Sequence, residues 1–157
     1  MGAAADPAVR EAEVADADAV GRLLHDFNTE YDEPTPGPRA MARRVGELLQ
    51  GGEITVLLAG REPAGLAVLR FRSALSREAL DCYLEELYVV PDRRGQGLGR
   101  ALVERAIEVA RRKGAAYMDL GTAETDVAAS ALYESLGFDN RGGRPDGPLN
   151  LYYEREL

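Results

Sequence analysis

The 157-residue sequence contains few of the residues that carry redox or metal chemistry: one cysteine, Cys82, and one histidine, His25. A lone cysteine cannot form an internal disulfide. One cysteine and one histidine are too few for a structural zinc site or a Cys–His catalytic pair. We therefore expect no metal, a packing role for Cys82, and a protein that works in the reducing cytoplasm.

The sequence also lacks a long apolar run and an excess of positive charge. No stretch is long enough to cross a bilayer, and the N-terminal residues have acids but no apolar core of the kind found in a signal peptide. A net charge of −8 disfavours binding to nucleic acid. The acids are densest in the first 40 residues, where they either attract a cationic acceptor or only promote solubility.

The hydrophobic pattern predicts a single α/β domain over residues 1–157, with residues 1–7 as a frayed tail. Strands that follow one another as hairpins and strands joined through helices both occur, so the sheet should be mixed. We expect about seven strands and four helices. The predicted strands are 9–14, 54–59, 64–72, 80–90, 117–121, one opening at Gly137-Phe138, and 149–157. The predicted helices are 17–28, 39–50, a long one ending at Lys113, and 127–136.

The most informative segment joins the fourth predicted strand to the long helix. Three glycines and three arginines fall within the eight residues from Arg93 to Arg100. Glycine allows positive φ and a close approach of a ligand to the backbone. The first turn of a helix presents unpaired N–H groups with partial positive charge. This combination predicts a site for a phosphate or diphosphate.

Two common phosphate-binding motifs do not fit this segment. A P-loop needs Lys-Ser/Thr after its last glycine, whereas Gly99 is followed by Arg100-Ala101. The dinucleotide motif needs its third glycine one residue later than Gly99. A nucleotide-binding domain is therefore disfavoured as an alternative.

The chain resembles the GCN5-related N-acetyltransferase (GNAT) family. The family's cofactor motif, Arg/Gln-x-x-Gly-x-Gly/Ala, stands here as RGQGLG, from Arg94 to Gly99. The preceding LEELYVVP, residues 84–91, matches the family's fourth strand, and ALYESLGF, residues 131–138, matches its second cofactor-binding segment. The resemblance implies the GNAT-like acyl-CoA N-acyltransferase fold and acetyl-coenzyme A (acetyl-CoA) as cofactor.

In this family the fourth strand bulges and diverges from its parallel neighbour, and the pantetheine arm lies in the gap. The resemblance therefore implies that Leu87 and Val89 offer backbone groups to the pantetheine, and that the N–H of Leu87 polarises the thioester carbonyl. Asp126 stands where many members have a cofactor-contacting Asn. The implied cofactor-binding residues are Leu87, Tyr88, Val89, Arg94, Gly95, Gln96, Gly97, Leu98, Gly99, Arg100, Asp126 and Ala129.

The resemblance also implies a direct attack of an amine on the thioester. An alkyl amine is mostly protonated at neutral pH, so a carboxylate has to remove its proton, directly or through a water. Glu85 and Glu86 are neighbours on a strand and are expected to face opposite sides. Glu85 is the favoured base, with Glu86 or water as alternatives. Tyr133 occupies the position of the family's general acid, which protonates the departing thiolate.

The family forms its acceptor pocket partly from the segment between the first two helices. Here the corresponding residues combine aromatic and acidic groups that suit an ammonium: Phe27, Tyr31, Asp32 and Glu33. The expected function is acetylation of a primary amine on a small molecule, such as a polyamine, an aminoglycoside or an amino acid. A protein N-terminal or lysine acetyltransferase and a non-catalytic acyl-CoA-binding module are the alternatives. Dimers are common in the family, so a homodimer is also an expectation.

Overall fold

A computed structural model describes residues 8–157. The residues 1–7, expected to form a frayed tail, lie outside this range. The chain divides into two compact units, Met1–Leu120 and Gly121–Leu157, each described separately below. Its organisation as a single domain stays a prediction.

The first unit holds a five-stranded mixed sheet in the order β1-β2-β3-β4-β5. The first four strands pair antiparallel, and β4 pairs parallel with β5. The mixed character of the sheet is therefore confirmed. The strands are β1 (Val9–Glu11), β2 (Thr55–Ala59), β3 (Gly65–Ser73), β4 (Leu80–Val89) and β5 (Ala115–Leu120).

Three helices of this unit cover the sheet: α1 (Ala17–Glu30), α2 (Pro38–Gln50) and α3 (Leu98–Arg112). Each has its apolar residues at helical spacing, so each buries one stripe. Buried residues of α1 and α2 form one core with alternate residues of β2 and β3, including Val56, Leu58, Leu66 and Val68. Gly65 is next to Leu66 on β3 and therefore points to the other face of the sheet. A Cβ added to Gly65 would lie 3.2 Å from the Leu102 side chain of α3. Thus α3 packs on the opposite face of the sheet.

The second unit contains α4 (Val127–Ser135) and none of the two strands expected after it, so the structure has five strands rather than about seven. The Gly137-Phe138 pair closes the helix instead of opening a strand. Gly137 has φ +91°, and the Phe138 N–H donates to the Tyr133 carbonyl at 3.0 Å. This is the way a glycine ends a helix.

Residues 149–157 also form no strand, although their composition suits one. A strand is stabilised by a partner strand, and pairing cannot be read from composition. The preceding loop folds on itself: the Asp139 carboxylate accepts from the Arg141 and Gly143 amides at 2.8 and 2.9 Å. Leu151, Tyr152 and Tyr153 remain exposed.

Candidate active site

An irregularity in β4 sets the position of the two candidate bases. Val68 pairs with Glu86, but the next residue of β3, Leu69, pairs with Leu84, so Glu85 is an extra residue in β4. Such a bulge shifts the alternation of side chains by one position. Glu86 therefore faces the α1/α2 side with Val68. The resemblance implied this bulge.

The expectation that the two glutamates face opposite sides of the sheet is wrong. Arg70 lies two residues from Val68 and so on the same face of β3. The Arg70 Nε donates to the Glu85 Oε2 at 2.7 Å, which places the Glu85 carboxylate on that face as well. Two carboxylates therefore share one side of the sheet at the bulge, because the inserted residue cancels the alternation.

The two carboxylates differ in their electrostatic surroundings. The Glu85 carboxylate forms an ion pair with the Arg70 Nε at 2.7 Å. Burial, together with the negative charge of Glu85, raises the pKa of Glu86 to about 7. Near neutral pH, Glu86 is thus close to half ionised, as a group that takes and returns a proton should be.

The second half of β4 has an open edge next to these carboxylates. The parallel ladder with β5 ends at the pair Leu84–Leu120. Beyond it, the segment from Glu86 to Val89 is paired with β3 but has no strand on its other side in the described sheet. Leu87, Tyr88 and Val89, the expected pantetheine contacts, lie along this edge. A free strand edge can bind an extended ligand through backbone groups.

This strand leads directly into the glycine-rich loop. Gly95 and Gly97 have φ +73° and +85°. Residues other than glycine adopt these backbone conformations only at a cost in free energy. A Cβ added at either position would meet no atom within 4 Å. The glycines are therefore required by the backbone conformation, and the space above them is open to a ligand.

The loop ends in the N-terminus of α3. Gly97 is the N-cap and offers no side chain to the first-turn N–H groups, whereas a Ser or Asp there would occupy one of them. Gln96 and Gly97 are exposed, Leu98 is buried beneath them, and Gly99 is half-buried. The uncapped helix end is suited to an anion with several oxygens.

The arginines of the loop contact protein groups. Arg93 Nε donates to Gln96 Oε1 at 3.1 Å, and Arg100 lies 3.7 Å from Glu104. Arg94 Nη2 lies 2.7 Å from a carboxylate oxygen of Glu30, the last residue of α1. The carboxylates of Glu30 and Glu104 offset the charges of Arg94 and Arg100, so the backbone dipoles contribute a larger share of the attraction for an anion.

The acceptor candidates lie at the end of α1. Phe27 stacks on Tyr88 with ring centroids 4.9 Å apart and meets Tyr31 edge-on at 5.3 Å. Phe27 is half-buried, while Tyr31, Asp32 and Glu33 are exposed. Phe27 thus packs beneath a surface formed by the exposed ring of Tyr31 and the carboxylates of Asp32 and Glu33.

The second unit positions Tyr133 on α4. The Asp126 carboxylate accepts from the Ala129 N–H at 3.1 Å and caps this helix. The Tyr133 side chain is buried and packs against Phe138. Burial and the charge of Asp126 raise the pKa of the Tyr133 phenol to about 12, so the phenol holds its proton throughout the physiological range.

The sequence did not predict two residues that contact this site: Arg70, which binds Glu85, and Glu30, which binds Arg94. Glu30 and Arg94 are 64 positions apart, and no local pattern joins them. The alternation of β3 and β4 could have suggested a cross-strand partner for Glu85, but the register that selects Arg70 depends on the bulge.

Other kinds of site are not found in the described part of the chain. Within residues 8–157, no three Cys, His, Asp or Glu side chains come together in a metal-binding group. No helix in that range has the length and apolarity needed to span a bilayer.

Comparison with known proteins places these features in a family. The profile of the Acetyltransferase (GNAT) family matches residues 18–138. Thialysine N-epsilon-acetyltransferase from Bos taurus is 35% identical over 86 residues, which cover 52% of this chain and 51% of that protein. The [ribosomal protein bS18]-alanine N-acetyltransferase of Escherichia coli K12 is 43% identical over 67 residues, 42% of this chain and 45% of that protein. The matches thus span about half the length of these curated relatives.

Among solved structures, a protein from Arthrobacter sp. FB24 described as an acetyltransferase superimposes with a TM-score of 0.88. It is 42% identical, and the alignment covers 100% of both chains. The profile match includes β4, the glycine loop and α4. The chain therefore belongs to the GNAT family of acetyltransferases.

Proposed function

We propose that this protein transfers the acetyl group of acetyl-CoA to a primary amine of a small cationic molecule. The observation that carries the proposal is the layout of β4, which presents the half-buried Glu86, then an open strand edge, and then an uncapped helix end. A long ligand with a reactive carbonyl at one end and a diphosphate at the other matches this order. Acetyl-CoA supplies the activated thioester.

The glycine loop fits the diphosphate of the cofactor. The backbone amides of Gln96, Gly97, Gly99 and Arg100 are the proposed donors, and the open space above Gly95 and Gly97 allows the approach. Leu87 and Val89 are the proposed backbone contacts of the pantetheine, with the Leu87 N–H directed to the carbonyl oxygen.

Glu86 is the proposed general base, in place of Glu85, which the family resemblance favours. The Glu85 carboxylate is already engaged in an ion pair with the Arg70 guanidinium at 2.7 Å. The raised pKa of Glu86 lies closer to the pKa of an ammonium group, which is about 10, than the pKa of an ordinary carboxyl does. Glu86 takes the proton from the amine nitrogen, directly or through one water, and the Tyr133 hydroxyl holds a proton for the sulfur that leaves.

The surface at the end of α1 supports the proposed acceptor class. Tyr31, Asp32 and Glu33 are exposed together, and a cation is attracted both by carboxylates and by an aromatic face. The relatives acetylate thialysine, a small amine, and an alanine of a ribosomal protein. The second of these supports peptide N-termini as the alternative acceptor class.

A thiol-release assay with acetyl-CoA and an amine panel tests the proposal. The panel contains diamines, aminoglycosides, thialysine, lysine and a short peptide with an N-terminal alanine. We expect release of coenzyme A with at least one cationic small amine, at rates above thioester hydrolysis. Turnover of the peptide alone would move the function to N-terminal acetylation. Tight acetyl-CoA binding without turnover on any amine would indicate a non-catalytic binding module.

A further inference from the structure

One ion pair connects the acceptor side of the first unit to the glycine loop. Arg94 Nη2 lies 2.8 and 2.7 Å from the two carboxylate oxygens of Glu30. Its Nε donates to the Val89 carbonyl at 2.9 Å. The side chain of Arg94 thereby joins the first residue of the loop motif to the ends of both α1 and β4.

Tyr88 supports this arrangement from below. Its hydroxyl donates to Glu30 Oε1 at 3.3 Å, and its ring lies 5.7 Å from the Arg94 guanidinium carbon. The Glu30 side chain is 27% exposed and the Arg94 side chain 43%. The pair is therefore partly shielded from solvent, and several contacts restrict both of its members.

We infer that Glu30 is a positioning residue that holds the glycine loop in the conformation that receives the cofactor diphosphate. The inference rests on the proposed function, in which that loop binds acetyl-CoA. Gly95 and Gly97 allow the loop many conformations, so an anchor at Arg94 reduces the conformational freedom lost on binding. The segment with Tyr31, Asp32 and Glu33 begins at the next residue after Glu30.

The negative charge of Glu30 gives the two explanations opposite effects on acetyl-CoA affinity. A carboxylate close to a diphosphate site repels the ligand, so on charge alone its removal should tighten binding. Release of Arg94 to contact the diphosphate would act in the same direction. A positioning role predicts the opposite result, because the unanchored loop has to be ordered by the ligand.

The experiment measures the acetyl-CoA Kd of Glu30→Gln by calorimetry, together with hydrogen exchange of residues 91–101 in the ligand-free protein. We expect Kd to rise about 3- to 10-fold, in the lower part of the range found for coupled residues, and exchange in this segment to become faster. The amine KM and the pH dependence of kcat at saturating acetyl-CoA should stay unchanged. In an Arg94→Gln background, Glu30→Gln should have no further effect on Kd.

Glu47→Gln is the matched control, since it removes an exposed helix pair with Arg44 that lies at 3.2 Å on α2. It should alter neither Kd nor exchange. Unchanged or tighter acetyl-CoA binding by Glu30→Gln would overturn the inference and leave the proposed function intact. If the unmodified protein bound no acetyl-CoA, the proposed function would fail, and unchanged exchange in Glu30→Gln would remove the positioning role separately.

Discussion

The replacement Glu86→Gln tests the proposed chemistry most directly. The amide is nearly isosteric with the carboxylate but cannot accept the proton. General-base contributions are typically about 10²- to 10⁴-fold, so kcat should fall within that range. The Kd of acetyl-CoA should change little, because Gln keeps the size and polarity of the side chain.

The pH profile of the unmodified protein gives the quantitative part of this prediction. With a pKa of about 7 for Glu86, about a tenth of the molecules are ionised at pH 6, about half at pH 7 and about nine tenths at pH 8. Turnover under saturating amine should thus rise about fivefold from pH 6 to 7 and less than twofold from pH 7 to 8. This inflection should disappear in Glu86→Gln.

Glu85→Gln distinguishes the two neighbours on the same strand. It removes a negative charge next to Glu86, so the inflection should move to lower pH while turnover persists. If Glu86→Gln kept the inflection near pH 7, or if Glu85→Gln abolished it, the assignment of the base would be refuted. The assay is thiol release at saturating acetyl-CoA across pH 5.5–9, a range chosen to bracket the inflection by about two units.

The folding stability should also depend on pH through Glu86. The folded pKa of Glu86 lies above the ordinary value of 4.5, so between pH 4.5 and 7 the folded state binds more protons, and stability contributed by this group falls as pH rises. Glu86→Gln should therefore raise the Tm at pH 8 relative to the parent and have little effect near pH 4. Gly97→Val should abolish measurable acetyl-CoA binding, whereas Gly114→Val, at φ +93° and with equally open surroundings at the other end of α3, should lower the Tm similarly and leave binding intact. Tyr133→Phe should lower kcat with an unchanged acetyl-CoA Kd, and an unchanged kcat would remove its role as acid. Asp126→Ala should lower the unfolding free energy by about 1 kcal/mol through loss of the α4 cap, and Asp126→Asn should restore most of it.

The sequence was a good guide where the controlling interactions are local. The stripes of α1, α2 and α3 and the apolar runs of β2 and β3 follow from side-chain periodicity, and the glycine loop follows from residues that are adjacent in the chain. The two C-terminal strands were predicted wrongly, since a strand depends on a partner that composition does not reveal. The sequence around Gly137 suggests the start of a strand, but the positive φ of this glycine ends a helix.

The active-site details that escaped prediction all depend on register or on distant contacts. One inserted residue decides whether the side chains of Glu85 and Glu86 lie on the same face of the sheet or on opposite faces. The sequence Leu-Glu-Glu-Leu is compatible with a regular strand and with a bulged one. The raised pKa of Glu86 depends on that arrangement, because burial is its main cause. The pairing of Glu30 with Arg94 requires α1 to end beside β4, which is a property of the packed sheet.

The length of β4 between Glu86 and the glycine loop fits a long acyl carrier. A strand rises about 3.3 Å per residue, so Glu86 and the end of β4 at Val89 are separated by roughly 10 Å before the loop begins. A ligand that lies along this edge, with its diphosphate at the loop after β4, would pass these residues before its reactive carbon reaches Glu86. The same distance explains why the free edge from Glu86 to Val89 matters: it supplies backbone partners along the path that an extended arm would follow.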